Sequence, residues 1–219
     1  MLSAPQRVVL LRQTLRDLGR TDWAEPPRVY EDIDVSRSLQ DRVVTAAYGL
    51  VRRALACHND FILFLEDDLR FNRHLRCNLQ FWSPLREIGP NEFFLASLYD
   101  PGVRAVEYHR HECYFIADPT SAYGSQALLL SSRTAQYILA HWHEENGFHD
   151  FRMFRLAARH CPIHYHVPSL VQHLGCANSV GGFVHCAQEF DPNWRVRQRL
   201  DMSVTEQPRG IAPVVPSSR

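Results

Sequence analysis

The run Phe61-Ile62-Leu63-Phe64-Leu65, followed at once by Glu66-Asp67-Asp68, constrains this chain more than any other stretch. Five successive apolar residues without helical periodicity are too few to span a membrane and fit a strand buried on both faces. Three adjoining carboxylates at the end of such a strand repel one another, and a cation that neutralises them removes that cost. Hard oxygen ligands of this kind suit Mg²⁺ or Mn²⁺. In open α/β sheets ligands gather beyond the carboxyl ends of the strands, where these acids are expected to sit. A solvated acidic turn is the alternative. The metal reading loses its basis if the three side chains face bulk solvent or are neutralised by arginines.

The flanking sequence supplies the rest of an α/β pattern. Val8, Leu11, Leu15 and Leu18 recur at helical spacing and Gly19 is a natural stop. Residues 26–34 read as a loop entering a short second strand that ends in acids. A long amphipathic helix is expected from Ser36 to about Cys57, with Leu39 on its core face and Arg42 outside it. Strand 61–65 follows, and a strand, helix, strand, helix, strand order predicts a mostly parallel central sheet covered by helices. Only two or three residues precede the first helix, so the first strand is expected to be truncated. Further on, a short helix over 73–81, strands over 93–99 and 124–130, a helix capped by Ser131 or Ser132, a helical run after Asp150 and an extended segment over 163–171 complete the pattern. Residues 103–122 resist assignment. One domain over residues 1–201 and a disordered tail over 202–219 are expected.

Composition narrows the chemistry. All 24 cations are Arg, which removes the Lys of a Walker A loop and of a Schiff-base enzyme. A metal-dependent phosphohydrolase, which also gathers acids at a strand end, normally adds a Lys as well. The formal net charge of zero gives no reason to expect nucleic acid. Six Cys without a C-x-x-C pair argue against a zinc ribbon or a disulfide scaffold, and His109, His111 and Cys113, placed on one strand face, lack a fourth ligand for zinc. With no signal-peptide core and no spanning run, a cytoplasmic chain with reduced thiols is expected.

Three segments together resemble the glycosyltransferases of the GT-A fold, a Rossmann-like three-layer α/β architecture, and in particular N-acetylglucosaminyltransferase I and bacterial family 2 relatives. Leu65-Glu66-Asp67-Asp68-Leu69 resembles their metal-binding acidic motif, Ser3-Ala4-Pro5-Gln6-Arg7 their opening T-x-P-x-R turn, and Val167 to Gly175 their closing P-S-L-V-Q-H-x-G segment. The resemblance implies a Mn²⁺- or Mg²⁺-dependent transfer from a nucleotide-sugar donor, a uridine diphosphate sugar by family weight, to an unidentified acceptor hydroxyl, with inversion. Asp68 is then the direct metal ligand, with His173 and His185 as further candidates, while Glu66 and Asp67 contact sugar, ribose or metal-bound water.

The same resemblance places Ser3, Pro5 and Arg7 at the donor, with Arg7 on the diphosphate or base, and Asp32 and Asp34 at the nucleoside. Gly124 permits close backbone approach where donor and acceptor meet. Asp150 is the general-base candidate, although an Asp at a helix start also serves as a cap. Phe190 and Trp194 read as packing that clamps the C-terminal segment. A catalytically impaired remnant that only binds is the remaining alternative.

Overall fold

A computed structural model describes residues 1–32, 36–89, 91–174 and 186–196. Leu2–Ser3 (β1) pairs in parallel with Tyr30–Glu31 (β2). Between them a 3₁₀ turn opened by Pro5 leads into Val8–Leu18 (α1), which ends at Gly19 as its spacing predicts. Leu39–Leu55 (α2) starts at Ser38, whose hydroxyl accepts the Asp41 amide and so satisfies a first-turn donor. Two expectations for α2 fail. Leu39 is 53% exposed, because it occupies the first helical position before the buried face begins. Arg42 is drawn inward by Asp32, Nε to Oδ2 at 3.0 Å.

Phe61–Leu65 (β3) and Leu69–Phe71 (β4) bracket the acids. Leu75–Gln80 (α3) follows, and Pro84 sits in the first turn of Ser83–Glu87 (α4), where its missing N–H costs nothing. The remaining elements are Leu95–Ser97 (β5), Ala105–His109 (β6), Tyr114–Ala117 (β7), Ala127–Ser131 (β8), Ser132–His141 (α5), His149–Ala157 (α6), Ile163–His166 (β9) and Val171–His173 (β10). Ser131 caps α5 by accepting the Thr134 amide.

The architecture is mixed α/β, but the prediction of a mostly parallel sheet is corrected. The six-stranded sheet runs β3-β8-β5-β9-β7-β6, and only β5 and β9 pair in parallel. Strands β3, β5 and β9 do share one direction. Strand β8 inserts antiparallel between β3 and β5, and residues 103–122 form the antiparallel β6-β7 hairpin, whose 3₁₀ turn carries His111 and so separates it from the strand face assumed for His109, His111 and Cys113.

Each face of the sheet has its own core, giving three layers. Ile62, Phe64, Leu128 and Leu130 pack with Leu50 and Val51 of α2, Ile138 of α5 and Phe154 of α6. Leu65, Leu129 and Ala96 pack with Leu11 and Leu18 of α1 and Leu75 of α3. Period-two alternation along β3 and β8 thus feeds both cores, as expected of strands buried on two sides. Among the described residues no helix is long and apolar enough to cross a membrane. Cys57, Cys77, Cys113, Cys161 and Cys186 are free thiols. Residues 202–219 lie outside the described residues.

Two histidines of β9 set a pH dependence. His166 is 1% exposed, with its ring 5.1 Å from Trp82, and burial lowers its pKa to about 4 against the Pro168 hydrogen bond that raises it; burial lowers His164 to about 4 as well. The unfolded chain takes up these protons near the ordinary value of 6.5 while the folded chain refuses them. Stability is therefore full above about pH 6.5 and falls as pH drops toward 4, by about 3 kcal/mol for His166. Asp67, raised by burial, works in the opposite sense nearer the carboxylate range. Urea midpoints measured between pH 7 and 5 are expected to fall, and the His166→Gln variant to flatten the fall; a pH-independent midpoint contradicts this.

Candidate metal centre

The loop from Glu66 to Asp68 is fixed from two directions. From below, β1, the 3₁₀ turn after it and α1 hold it: Ser3 Oγ donates to Asp67 Oδ2 at 2.6 Å and Arg7 Nε donates to Asp67 Oδ1 at 2.7 Å. Arg7 Nη2 pairs with Asp68 Oδ2. Thr14, fully buried, donates to the Asp67 carbonyl at 2.8 Å and accepts the Leu69 amide at 2.9 Å, so α1 is stitched across the loop backbone.

From the far end of the chain, β10 lies antiparallel to β4 with His173 opposite Leu69. That register sets His173 beside Asp68, Nε2 to Oδ2 at 2.9 Å, while the Leu174 amide donates to the Asp68 carbonyl at 2.7 Å. Glu66 is placed by β8: its amide donates to the Gln126 carbonyl at 3.0 Å, and Ser125 Oγ donates to its Oε1 at 2.5 Å. Ser125 Oγ also lies 2.7 Å from His149 Nε2. A serine hydroxyl has one proton, so with Glu66 accepting it, His149 Nε2–H is the donor to Ser125.

Glu66, Asp68 and His173 thereby offer ligand atoms that all lie within 4.8 Å of one another. The electrostatics are those of a partly compensated acidic site. Burial pushes the Asp68 carboxyl up, but the His173 hydrogen bond and charge and the Arg7 guanidinium outweigh it and hold it below the usual range. Asp67 stays above that range because burial outweighs its bonds to Ser3 and Arg7. Even with the Arg7 guanidinium and a charged His173 both set against three carboxylates, the loop stays anionic. Four buried polar atoms close to it, Asp68 Oδ1, Tyr99 Oη, Gln126 Oε1 and His149 Nδ1, have no hydrogen-bond partner among the described residues. Unsatisfied buried groups are scarce in folded proteins and gather where a ligand is held.

The structure brings Ser3, Arg7, Glu66, Asp67, Asp68 and His173 together. It assigns two of them different contacts from those expected. Arg7 grips the acids themselves, because the 3₁₀ turn from Pro5 to Arg7 faces the loop. Asp67 has both carboxylate oxygens engaged by Ser3 and Arg7 and is 3% exposed. Asp32 stands apart, paired with Arg42. Asp34 and His185 lie outside the described residues.

Gly124 and Asp150 are neighbours: the Gly124 amide donates to Asp150 Oδ2 at 3.0 Å and the Phe151 amide to Oδ1 at 2.9 Å. Gly124 has φ +91°, a backbone conformation that side chains rarely adopt, so the position favours glycine; a Cβ there would also displace the end of the Gln126 side chain, 2.8 Å away. Sequence reasoning passed over Thr14, Tyr99 and His149, and reached Ser125 only as part of the stretch from Tyr123 to Gln126 expected where donor and acceptor meet, without its bond to Glu66. Tyr99 packs edge-on to His173 with ring centroids 6.3 Å apart, and burial raises its phenol well above the ordinary value. None of the four belongs to a local pattern that marks it. The donor set of two carboxylates and an imidazole, with a buried partnerless oxygen on Asp68, fits Mn²⁺ or Mg²⁺. No protein-family model and no curated protein matches this chain.

Proposed function

We propose that this chain is a GT-A-type glycosyltransferase that moves a sugar from a uridine diphosphate donor to an acceptor hydroxyl, with inversion and with Mn²⁺ or Mg²⁺. The observation that supports it is the convergence of Glu66, Asp68 and His173 at the end of β3, where the acids of the resemblance are expected. When bound, the cation supplies Lewis acidity to the leaving diphosphate. The protein does the rest. Asp68 and His173 hold the cation from two chain segments, and Ser125, backed by His149, orients Glu66. Asp150 takes the proton of the attacking hydroxyl, its carboxylate held in place by the Gly124 amide. Arg7 and Ser3 keep the loop in shape against its own repulsion.

Arg7 also favours a second reading. A guanidinium bridging Asp67 and Asp68 supplies neutralisation without a metal, as a remnant that binds but does not transfer could use. Thermal shift with uridine and guanosine diphosphate sugars, each with and without Mn²⁺, separates the two. The transferase reading expects stabilisation that needs both metal and donor, about 3 kcal/mol at a hundredfold excess over Kd, or roughly 5–10 °C. Indifference to every donor with Mn²⁺ overturns it.

Asp150→Asn tests the base. Loss of a positioned base costs about 10²-fold or more in turnover while donor-dependent stabilisation is retained. Transfer within about threefold of the parent protein removes Asp150 from this role.

A further inference from the structure

The turn after Tyr99 is shared between two places. Tyr99 borders His173 of the carboxylate centre, and Tyr123, the neighbour of Gly124, donates its hydroxyl to the Pro101 carbonyl at 3.2 Å. Asp100, Gly102 and Val103 of the same turn line a separate groove of about 540 Å³ between the β6-β7 hairpin and residues 188–194. We propose that this groove binds a neutral, hydroxyl-rich sugar ring, the glycosyl acceptor, an assignment that rests on the transferase reading above.

The lining carries the argument. Pockets of this volume hold a small ligand, and their few polar groups decide which one. Here the aromatic side chains Tyr108 and Tyr114 share the lining with the acids Asp100 and Glu189. A sugar ring matches both, with C–H faces for the rings and hydroxyl edges for the acids. One oxygen of Asp100 is already committed, since Oδ1 accepts the Gly102 and Val103 amides at 2.8 and 3.1 Å, which fixes the side chain for a ligand on its other oxygen. Glu189 is held by backbone, its carbonyl accepting the Ser169 amide at 2.8 Å, while its side chain is exposed.

Other ligand classes fit less well. A phosphorylated ligand meets two carboxylates against the single guanidinium of Arg110, a net repulsion. A lipid chain meets a lining too polar for it. A cationic ligand meets the like charge of Arg110, whose guanidinium stands 5.6 Å from the centroid of the exposed Tyr108 ring. A neutral polyol has none of these conflicts.

The test is saturation-transfer nuclear magnetic resonance on the full chain. The probes are the methyl α- and β-glycosides of glucose, galactose, mannose and N-acetylglucosamine, with glucose 1-phosphate and phosphocholine as charged controls. At least one methyl glycoside is expected to show transfer. Glu189→Ala and Tyr108→Ala, both at exposed positions outside the Glu66–Asp68 loop, are expected to weaken it about tenfold. Both variants are expected to keep the Mn²⁺-dependent response to donor. Asp68→Ala is expected to lose the donor response and keep the glycoside signal. Metal-dependent donor binding without any glycoside signal, or a stronger signal from a charged control, overturns the groove assignment and leaves the transferase reading standing. A glycoside signal sensitive to Glu189 and Tyr108 without donor binding supports a sugar site in the groove and overturns both the transferase reading and the acceptor role.

Discussion

Asp68→Ala is expected to bind Mn²⁺ at least about 100-fold more weakly than the parent protein and to lose donor-dependent stabilisation, with a native near-ultraviolet spectrum. The physical reason lies in how Asp68 is shared. Its Oδ2 meets Arg7 and His173, and its Oδ1 is the buried oxygen without a partner, so no neighbour replaces it as a ligand. Arg7 keeps its bond to Asp67 when Asp68 is removed, so the loop stays pinned by Ser3, Thr14 and Arg7 together. Asp68→Asn keeps the shape and loses the charge, which separates packing from ligation. Manganese titration by electron paramagnetic resonance reads the result directly. Parent-like Mn²⁺ affinity in both variants, or no Mn²⁺ binding by the parent, ends the metal reading.

Asn72→Ala is expected to cost about 3 kcal/mol or more of folding stability and to expose the segment around Trp194 to proteases. Asn72 is fully buried just after β4 and serves four groups at once. Its Nδ2 donates to the Asp191 and Trp194 carbonyls, both at 2.8 Å, and its Oδ1 accepts the His74 amide at 2.8 Å and Asn78 Nδ2 at 2.9 Å. Alanine leaves buried donors and acceptors without partners, which is the expensive half of a hydrogen bond. Urea denaturation and limited proteolysis check both halves of the prediction. A midpoint unchanged from the parent contradicts it.

The parts legible in the sequence are those with local signals. Strand β3 announced itself by an unbroken apolar run, α1 by its periodicity and Gly19, and α5 by Ser131. The β6-β7 hairpin was illegible for a definite reason. Its turn passes through Cys113 at φ +60°, a conformation that glycine or asparagine normally marks, and β6 exposes Val106 and Tyr108 where an apolar/polar alternation would have identified it. The sheet direction was missed because antiparallel insertion of β8 leaves no trace in element order.

The site divides the same way. Glu66 and Asp68 were legible because they follow a buried strand directly, and His173 through its resemblance to a known segment. Ser125 meets Glu66 only in space, across 59 residues of chain, and His149 across still more, so no spacing rule finds either contact. Arg7 was noticed, but its partner depends on where the turn points.

The contacts that shape the acidic loop span 60 residues to Arg7 and 105 to His173. Closing such long loops costs chain entropy before any contact is gained, whereas α5 and α6 assemble from neighbours in sequence. The loop is therefore expected to take its shape late, after α5 and α6 have paired, and in a partly opened chain to be the first of these parts to come apart.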